Sequence, residues 1–151
     1  MKEVEQVVYH TMISDTTATV GLLALLGESL VAPITVTRIL HAYQVSTPPA
    51  PGITFGVFSA PKGQIPRFSR EVFVNFNIFA QNYTDVVYRL MKLFDGVQHD
   101  LSFISGGTTQ LGGLSSVFDF EGPDGFNESL GVQQKDLRFR FFATTKAFNP
   151  I

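Results

Sequence analysis

Alternation of apolar and polar positions identifies the clearest strand, at residues 69–81 (SREVFVNFNIFAQ). Every second residue from Val72 to Ile78 is apolar, so these side chains would share one side of a sheet. The intervening positions mix Phe73 and Phe79 with acidic and amide residues. We therefore expect this second side to be only partly covered, or to be covered by another subunit.

The same period of two predicts the last strand, at residues 135–145 (KDLRFRFFATT). Alternate residues from 137 to 143 are apolar and would point toward a core. Arg138 and Arg140 would lie on the other side of this strand, next to Phe142. β-Branched and aromatic residues predict three further strands, at residues 34–45, 53–58 and 114–121.

Apolar residues at helical spacing predict a first helix at residues 1–13 and a short, buried second helix within residues 14–28. For the second helix, one of residues 14–16 would cap the start and Gly27 would end it.

The longest amphipathic helix is predicted at residues 82–96 (NYTDVVYRLMKLFDG). Asn82 would cap its start and Gly96 would end it. Its apolar stripe is expected to consist of Tyr83, Val87, Leu90 and Phe94.

This order of elements predicts a single α+β domain over residues 1–151. Strands separated by loops rich in proline and glycine favour a mainly antiparallel sheet of about five strands. One long amphipathic helix and the N-terminal helices would pack on that sheet. Breaker residues predict loops at residues 46–52, 61–69 and 106–113.

Composition narrows the classes of function. The chain of 151 residues holds 15 phenylalanines but no tryptophan or cysteine. The absence of cysteine excludes disulfides, zinc–thiolate sites and cysteine nucleophiles. A formal net charge of −2 does not favour a dedicated nucleic-acid-binding protein. We expect no membrane association, because no apolar stretch is long enough to span a bilayer and the N-terminus lacks the apolar segment of a signal peptide.

Four carboxylates surround a Pro-Asp-Gly turn in residues 118–130 (FDFEGPDGFNESL). Their spacing does not match a calcium loop, which places ligands at alternate positions and a glutamate at the twelfth. Asp119 and Glu121 would share one side of a strand. Antiparallel pairing with the last strand would set Asp119 against Arg140 and Glu121 against Arg138. We favour this ion pairing over a metal or catalytic site.

Local signatures of catalysis are absent from the sequence. His10, His41 and His99 lack the spacing of a zinc site, and neither a nucleophile elbow nor a phosphate-binding loop is present. We therefore predict a protein that is not an enzyme and has no cofactor or metal.

Charged residues in the predicted loops are candidates for contacts with other chains. Lys62, Arg67 and Arg70 form a small basic patch. This patch could contact phosphate, but a solvated loop or a salt bridge to a neighbour is favoured. Asp124 and Glu128 would lie on a connection that a neighbouring subunit could use.

Several stretches, taken in order, resemble the small tail-terminator (tail-completion) proteins of long-tailed bacteriophages. The resemblance covers most of the chain except residues 106–113 and 146–151. It is carried by the opening helix and by VGLLALLG, TRILHAYQVSTPPAPGITFGVF, SREVFVNFNIFAQNYTDVVYRLMKLFDG and FDFEGPDGFNESLGVQQKDLRFRFFATT.

The resemblance implies a virion protein of the tail or neck that is present in the host cytoplasm during assembly. Members of this family form a ring, usually a hexamer, at the head-proximal end of the tail tube. The ring stops polymerisation of the tube protein and docks to the head-completion and neck proteins. DNA passes through the lumen without sequence-specific binding.

In such a ring, Phe73, Phe79 and Phe142 would supply apolar contact area between subunits. The charge pairs of Arg138 and Arg140 would fix the register. Two other functions stay open. One is a different head–tail connector or minor tail protein, and the other is a small metal- or ligand-binding domain that uses the carboxylates at 119 and 121.

Overall fold

The computed structural model describes residues 2–44, 46–59, 69–104 and 111–145. Within these ranges the chain forms three α-helices: α1 (Lys2–Ile13), α2 (Leu22–Leu25) and α3 (Thr84–Phe94). The strands are β1 (Ile39–His41), β2 (Gly52–Ser59), β3 (Ser69–Phe79), β4 (Val97–Gln98), β5 (Leu111–Glu121), β6 (Gly125–Asn127) and β7 (Val132–Thr145). A 3-10 turn at Ala42–Gln44 follows β1.

The strands form one sheet in the order β1-β2-β3-β7-β5-β4, and β6 pairs with β7. All pairs are antiparallel except β1 with β2. The predicted α+β class with a mainly antiparallel sheet is confirmed. Among the described residues the sheet has seven strands rather than about five, because the two short strands β4 and β6 carry no periodic pattern that a sequence can reveal. The amphipathic helix α3 is also not long, at 11 residues.

One side of the sheet forms the core together with the three helices. The alternate residues predicted to be buried in β3 and β7 are buried: Val72, Val74, Phe76, Ile78, Leu137, Phe139, Phe141 and Ala143. The ring of Phe76 lies 5.1 Å from that of Phe94 in α3 and 5.6 Å from that of Phe139. Aromatic rings at these separations attract one another in addition to burying apolar area. None of the helices among the described residues is long and apolar enough to cross a membrane.

The strand predicted at residues 34–45 is mostly wrong. Of the described residues in this range, 34–44, only Ile39–His41 is a strand. Glu28 explains the difference, because its carboxylate accepts hydrogen bonds from the backbone N–H groups of Thr37 (3.0 Å) and Arg38 (2.7 Å). These bonds hold the chain before β1 in an irregular conformation.

The second helix is shorter than predicted, with four residues. Asp15 reaches its first turn from seven residues upstream and accepts a hydrogen bond from the backbone N–H of Leu22 at 2.6 Å. The side chain thus satisfies a helix-terminal donor without occupying the cap position itself. Gly27, the predicted end, has a positive φ of 80° that favours glycine.

Helix α3 also differs from its prediction in detail. Asn82 is exposed, and the cap position is Tyr83, which makes no side-chain capping bond. The fully buried residues of the helix are Val86, Leu90 and Phe94, whereas Val87 is half-buried. Leu90 and Phe94 are thus confirmed in the stripe, Tyr83 and Val87 pack against the core while only partly buried, and Val86 is a buried residue that the prediction left out.

One boundary of each of the three predicted loops also changes. Leu111–Gly113, predicted within a loop, begin β5, and Ser69 begins β3. The rest of the 61–69 loop and residues 106–110 lie outside the described residues. The 46–52 loop is confirmed as irregular up to Pro51, and Gly52 begins β2.

Candidate assembly surface

The sheet has a second side, opposite the helices, on which large apolar side chains remain exposed. We call it the outer face and define it by Phe58, Phe73, Val117, Phe120 and Phe142, together with Glu71, Asp119, Arg138 and Arg140. The register sets Phe73 against Phe58 on one side and Arg140 on the other. Four of its apolar residues are at least a third exposed: Phe58, Val117, Phe120 and Phe142.

The two arginines of the outer face lie over aromatic rings. The guanidinium of Arg138 is 4.9 Å from the ring centre of Phe73 and 5.5 Å from that of Phe120. The guanidinium of Arg140 is 5.5 Å from the ring of Phe73. Stacking of this kind holds a flexible cation in place. Phenylalanine and arginine are also enriched where proteins contact one another.

Asp119 joins both arginines. Its carboxylate accepts hydrogen bonds from Arg138 Nε at 2.6 Å and from Arg140 Nη2 at 3.1 Å. Arg140 Nε is also 3.0 Å from Glu71 Oε1, although without hydrogen-bond geometry. The predicted contact between Asp119 and Arg140 is therefore present, within a network of two arginines and two carboxylates.

The predicted pair between Glu121 and Arg138 is wrong, because strand β5 contains an irregularity at Asp119. Phe118 lies opposite Phe139, yet Phe120 lies opposite the very next residue of β7, Arg138. One extra residue on β5 reverses the alternation beyond it, as in a β-bulge. Glu121 consequently faces Leu137, on the helix side of the sheet.

On the helix side, Glu121 meets Lys135, which is a residue that the sequence pattern did not single out. Lys135 Nζ is 3.1 Å from Glu121 Oε1 and 2.8 Å from Asp124 Oδ1, although the lysine is only 6% exposed. The hydrogen bond to Asp124 raises the pKa of Lys135 and lowers the pKa of Asp124. Asp124 is thus occupied within its own chain.

The other predicted contact residues have mixed outcomes. Phe73 and Phe142 lie on the outer face, but Phe79 is only 5% exposed and cannot serve another subunit. Phe79 is the last residue of β3 and lies between Gly52 of β2 and Gln134 of β7.

The charged loop residues are only partly described. Lys62 and Arg67 lie outside the described residues. The backbone of Arg70 lies in β3, opposite Ala143 of β7. Glu128 is exposed in the turn after β6 and has no ion pair within the described ranges.

The described ranges contain no group of three or more histidine, aspartate or glutamate residues arranged to hold a metal ion. Asp119 and Glu121 are separated by the bulge onto opposite sides of the sheet and are engaged by different cations. His10 stacks on Phe103 at 3.9 Å, and His99 is buried against Ser116. The histidines thus make aromatic and hydrogen-bonding contacts.

Arg138→Glu would place a carboxylate next to Asp119 and remove a cation from the rings of Phe73 and Phe120. We expect the free energy of unfolding to fall by about 1 kcal/mol, in line with half-exposed ion pairs and cross-strand pairs. Urea denaturation at low and at high salt measures this effect. Arg138→Gln, which removes the cation without adding repulsion, is the matched control and should be less destabilised. Equal stability of Arg138→Glu and the unchanged chain would contradict a stabilising pair between Arg138 and Asp119.

Comparison of the chain with protein-family models, with curated proteins and with solved structures found no match in any of the three.

Proposed function

We propose that the chain is a structural subunit that assembles with copies of itself into a ring. The observation that supports this proposal is the outer face of the sheet. It exposes phenylalanines around an ordered network of arginines and carboxylates. Exposed apolar patches with a polar rim are typical of surfaces that bind another protein.

The chemistry of the outer face favours a protein partner over a small substrate. Its arginines are held by Asp119 and by aromatic rings, so they are already oriented before any partner arrives. Side chains fixed in this way lose little conformational freedom when a contact forms. A sheet face with aromatic and arginine anchors suits a second protein surface.

We further propose that the ring is the tail terminator of a long-tailed phage. This step rests on the resemblance of residues 20–27, 37–58, 69–96 and 118–145 to that family. Its partners would be the tail-tube protein on one side and the head-completion or neck protein on the other, within the virion. The net charge of −2 is compatible with a lumen that passes DNA without holding it.

Light scattering coupled to size-exclusion chromatography tests the assembly step. We expect the unchanged chain to form a closed oligomer at high concentration, and Phe142→Ser to weaken the assembly by about tenfold or more, because it removes an aromatic anchor. Tyr43→Ser is the matched control, since Tyr43 is 75% exposed on the 3-10 turn and not on the sheet. A chain that stays monomeric at every concentration would contradict the proposal.

Electron microscopy of polymerising tail-tube protein tests the tail-terminator step. We expect the added chain to bind tube ends and to limit tube length. An oligomer that leaves tube length unchanged but binds neck proteins would instead identify a different head–tail connector.

A further inference from the structure

The helix layer of the molecule contains a groove that is separate from the outer face of the sheet. It lies between α3 and the loop before α2, has a volume of about 620 Å³, and is lined by the apolar side chains of Val20, Leu25, Tyr88 and Met91. Val20 is 55% exposed and Tyr88 69% exposed, so the groove opens to the surface. A concave apolar site of this size accommodates a large side chain.

The walls of the groove are held in position. Arg89 of α3 donates a hydrogen bond to Asp15 through Nε at 2.6 Å, and Asp15 also binds the first turn of α2. The loop between these elements contains Thr19 at a φ of 65°, which is rare for a β-branched residue. Backbone conformations of this kind persist only where the surroundings enforce them, and they are common at binding sites.

Phe120 is the complementary feature on the other side of the molecule. Phe120 is 52% exposed although it lies in β5, a strand that pairs with β7 on both sides of the bulge. The bulge at Asp119 directs it to the outer face, where regular alternation would have turned it toward the core. Arg138 lies over its ring at 5.5 Å and supports it.

We propose that Phe120 of one copy inserts into the groove between α2 and α3 of a second copy. This inference rests on the proposed self-assembly and specifies how it occurs. Because Phe120 lies on the outer face and the groove lies on the helix layer, each copy offers two different surfaces. Contacts between two different surfaces are the kind that generate rings.

Charges beside the two surfaces are complementary. Asp85 and Lys92 flank the groove, about 10 Å apart along α3. Arg138 and Asp136 lie about 7 Å apart on β7, next to Phe120. Asp85, Lys92 and Asp136 have no ion-pair partner within the described ranges. Arg138 keeps its hydrogen bond to Asp119. When the ring inserts with Arg138 on the side of Asp85, Asp136 comes to the side of Lys92, so opposite charges of the two copies face one another.

Mixing two variants tests the proposal. Phe120→Ser removes the inserted ring but keeps the groove, whereas Val20→Glu places a charge in the groove but keeps the ring. We expect each variant alone to assemble about thirtyfold more weakly than the unchanged chain. An equimolar mixture should form dimers of one copy of each, because one intact contact remains possible. Phe126→Ser is the matched control: Phe126 is 57% exposed, lies opposite Gln133 off the outer face, and should leave assembly unchanged.

The outcomes separate this inference from the proposed function. If the unchanged chain assembles but the mixture of variants stays monomeric, the insertion of Phe120 is overturned while self-assembly stands. A chain that never assembles overturns both.

Two further variants extend the test. The double exchange of Asp136→Lys and Lys92→Asp should restore assembly that either exchange alone weakens. Because the chain has no cysteine, Phe120→Cys mixed with Val20→Cys should give a disulfide between copies under oxidising conditions. Failure of both the restoration and the cross-link would overturn the proposed contact.

Discussion

Asp15→Ala is expected to lower the free energy of unfolding by about 3 kcal/mol. The carboxylate of Asp15 is 4% exposed and binds Arg89 through two of its guanidinium nitrogens. Removing one partner of a buried pair leaves the other charge without compensation, which destabilises proteins by roughly 3–5 kcal/mol. The lower end of this range applies, because the Arg89 side chain keeps 20% of its surface in contact with water.

The loss has a second component in the backbone. Asp15 accepts the hydrogen bond of the Leu22 N–H group, so its truncation also leaves a donor at the start of α2 unpaired. Burial raises the pKa of Asp15, but the hydrogen bonds from Arg89 and Leu22 outweigh burial and leave the pKa below its usual value. The ionised carboxylate is therefore the form that the folded chain stabilises.

Urea denaturation followed by circular dichroism measures the effect. The double variant Asp15→Ala/Arg89→Met should recover part of the loss, because the arginine is no longer left unpaired. Glu128→Ala is the surface control and should change stability by no more than about 0.5 kcal/mol. A loss from Asp15→Ala as small as that of the control would mean that the pair does not stabilise the helix layer.

The sheet could be predicted from the sequence where its period of two is long and regular. In β3 and β7, apolar residues occupy alternate positions, so only one orientation of each strand buries all of them. The structure has that orientation. The position of Arg138 and Arg140 on the opposite side followed from the same alternation. The buried side of these two strands was therefore accessible before the structure, as was the placement of Phe73, Phe142 and the two arginines on the outer face.

The features that could not be predicted depend on single side chains acting over a distance. Glu28 binds backbone groups nine and ten residues away and prevents a strand that composition favours. The bulge at Asp119 adds one residue to β5, which no apolar pattern records, and it exchanges the sides of Phe120 and Glu121. Regular alternation gave no warning of the bulge, because it would have set the carboxylate of Glu121 beside the arginines and the ring of Phe120 toward the core, and both placements are favourable.

The groove between α2 and α3 was also inaccessible from sequence. It depends on the pairing of Asp15 with Arg89, which are separated by 74 positions along the chain. A buried ion pair at such separation has no local pattern. The sequence pattern offers Asp15 only as a candidate cap for the helix that follows it, which indicates its hydrogen-bonding role but neither its partner in α3 nor the groove.

Acidification from pH 6.5 to pH 4 is expected to destabilise the protein through His99, a residue for which the sequence suggested no role. Burial lowers the pKa of His99 from 6.5 to about 4. Its ring stacks on Phe141 at 5.4 Å, and its Nε2 is 2.7 Å from Ser116 Oγ. Because the Ser116 hydroxyl donates its hydrogen to the carbonyl of Phe94, Ser116 Oγ accepts the hydrogen of His99 Nε2. This hydrogen bond places a hydrogen on Nε2, and burial, which lowers the pKa of the ring, keeps the imidazole neutral in the folded chain.

The sign of the effect follows from the order of the two pKa values. Between pH 6.5 and 4 the unfolded chain binds a proton at His99 that the folded chain does not bind, so unfolding is favoured as the pH falls. The difference between the unfolded pKa of 6.5 and the folded pKa of about 4 corresponds to a fall of about 3 kcal/mol in the free energy of unfolding, most of which has occurred by pH 4. Asp15, whose folded pKa is lowered from 3.8, adds a loss of the same sign only below that window.

Urea denaturation at intervals between pH 7.5 and 4 tests this expectation against the variant His99→Phe. The phenylalanine keeps the buried ring beside Phe141 but cannot be protonated, and Ser116 can still donate to Phe94. The variant should lose much less stability over this range, whatever its stability at pH 7.5. If the free energy of unfolding falls equally with pH in the two chains, His99 does not control the acid response, and burial does not lower its pKa. A steeper loss in the unchanged chain than in His99→Phe between pH 7.5 and 4 would show that the difference arises from this one buried imidazole, since the protonation of His99 is the only titration that the substitution removes.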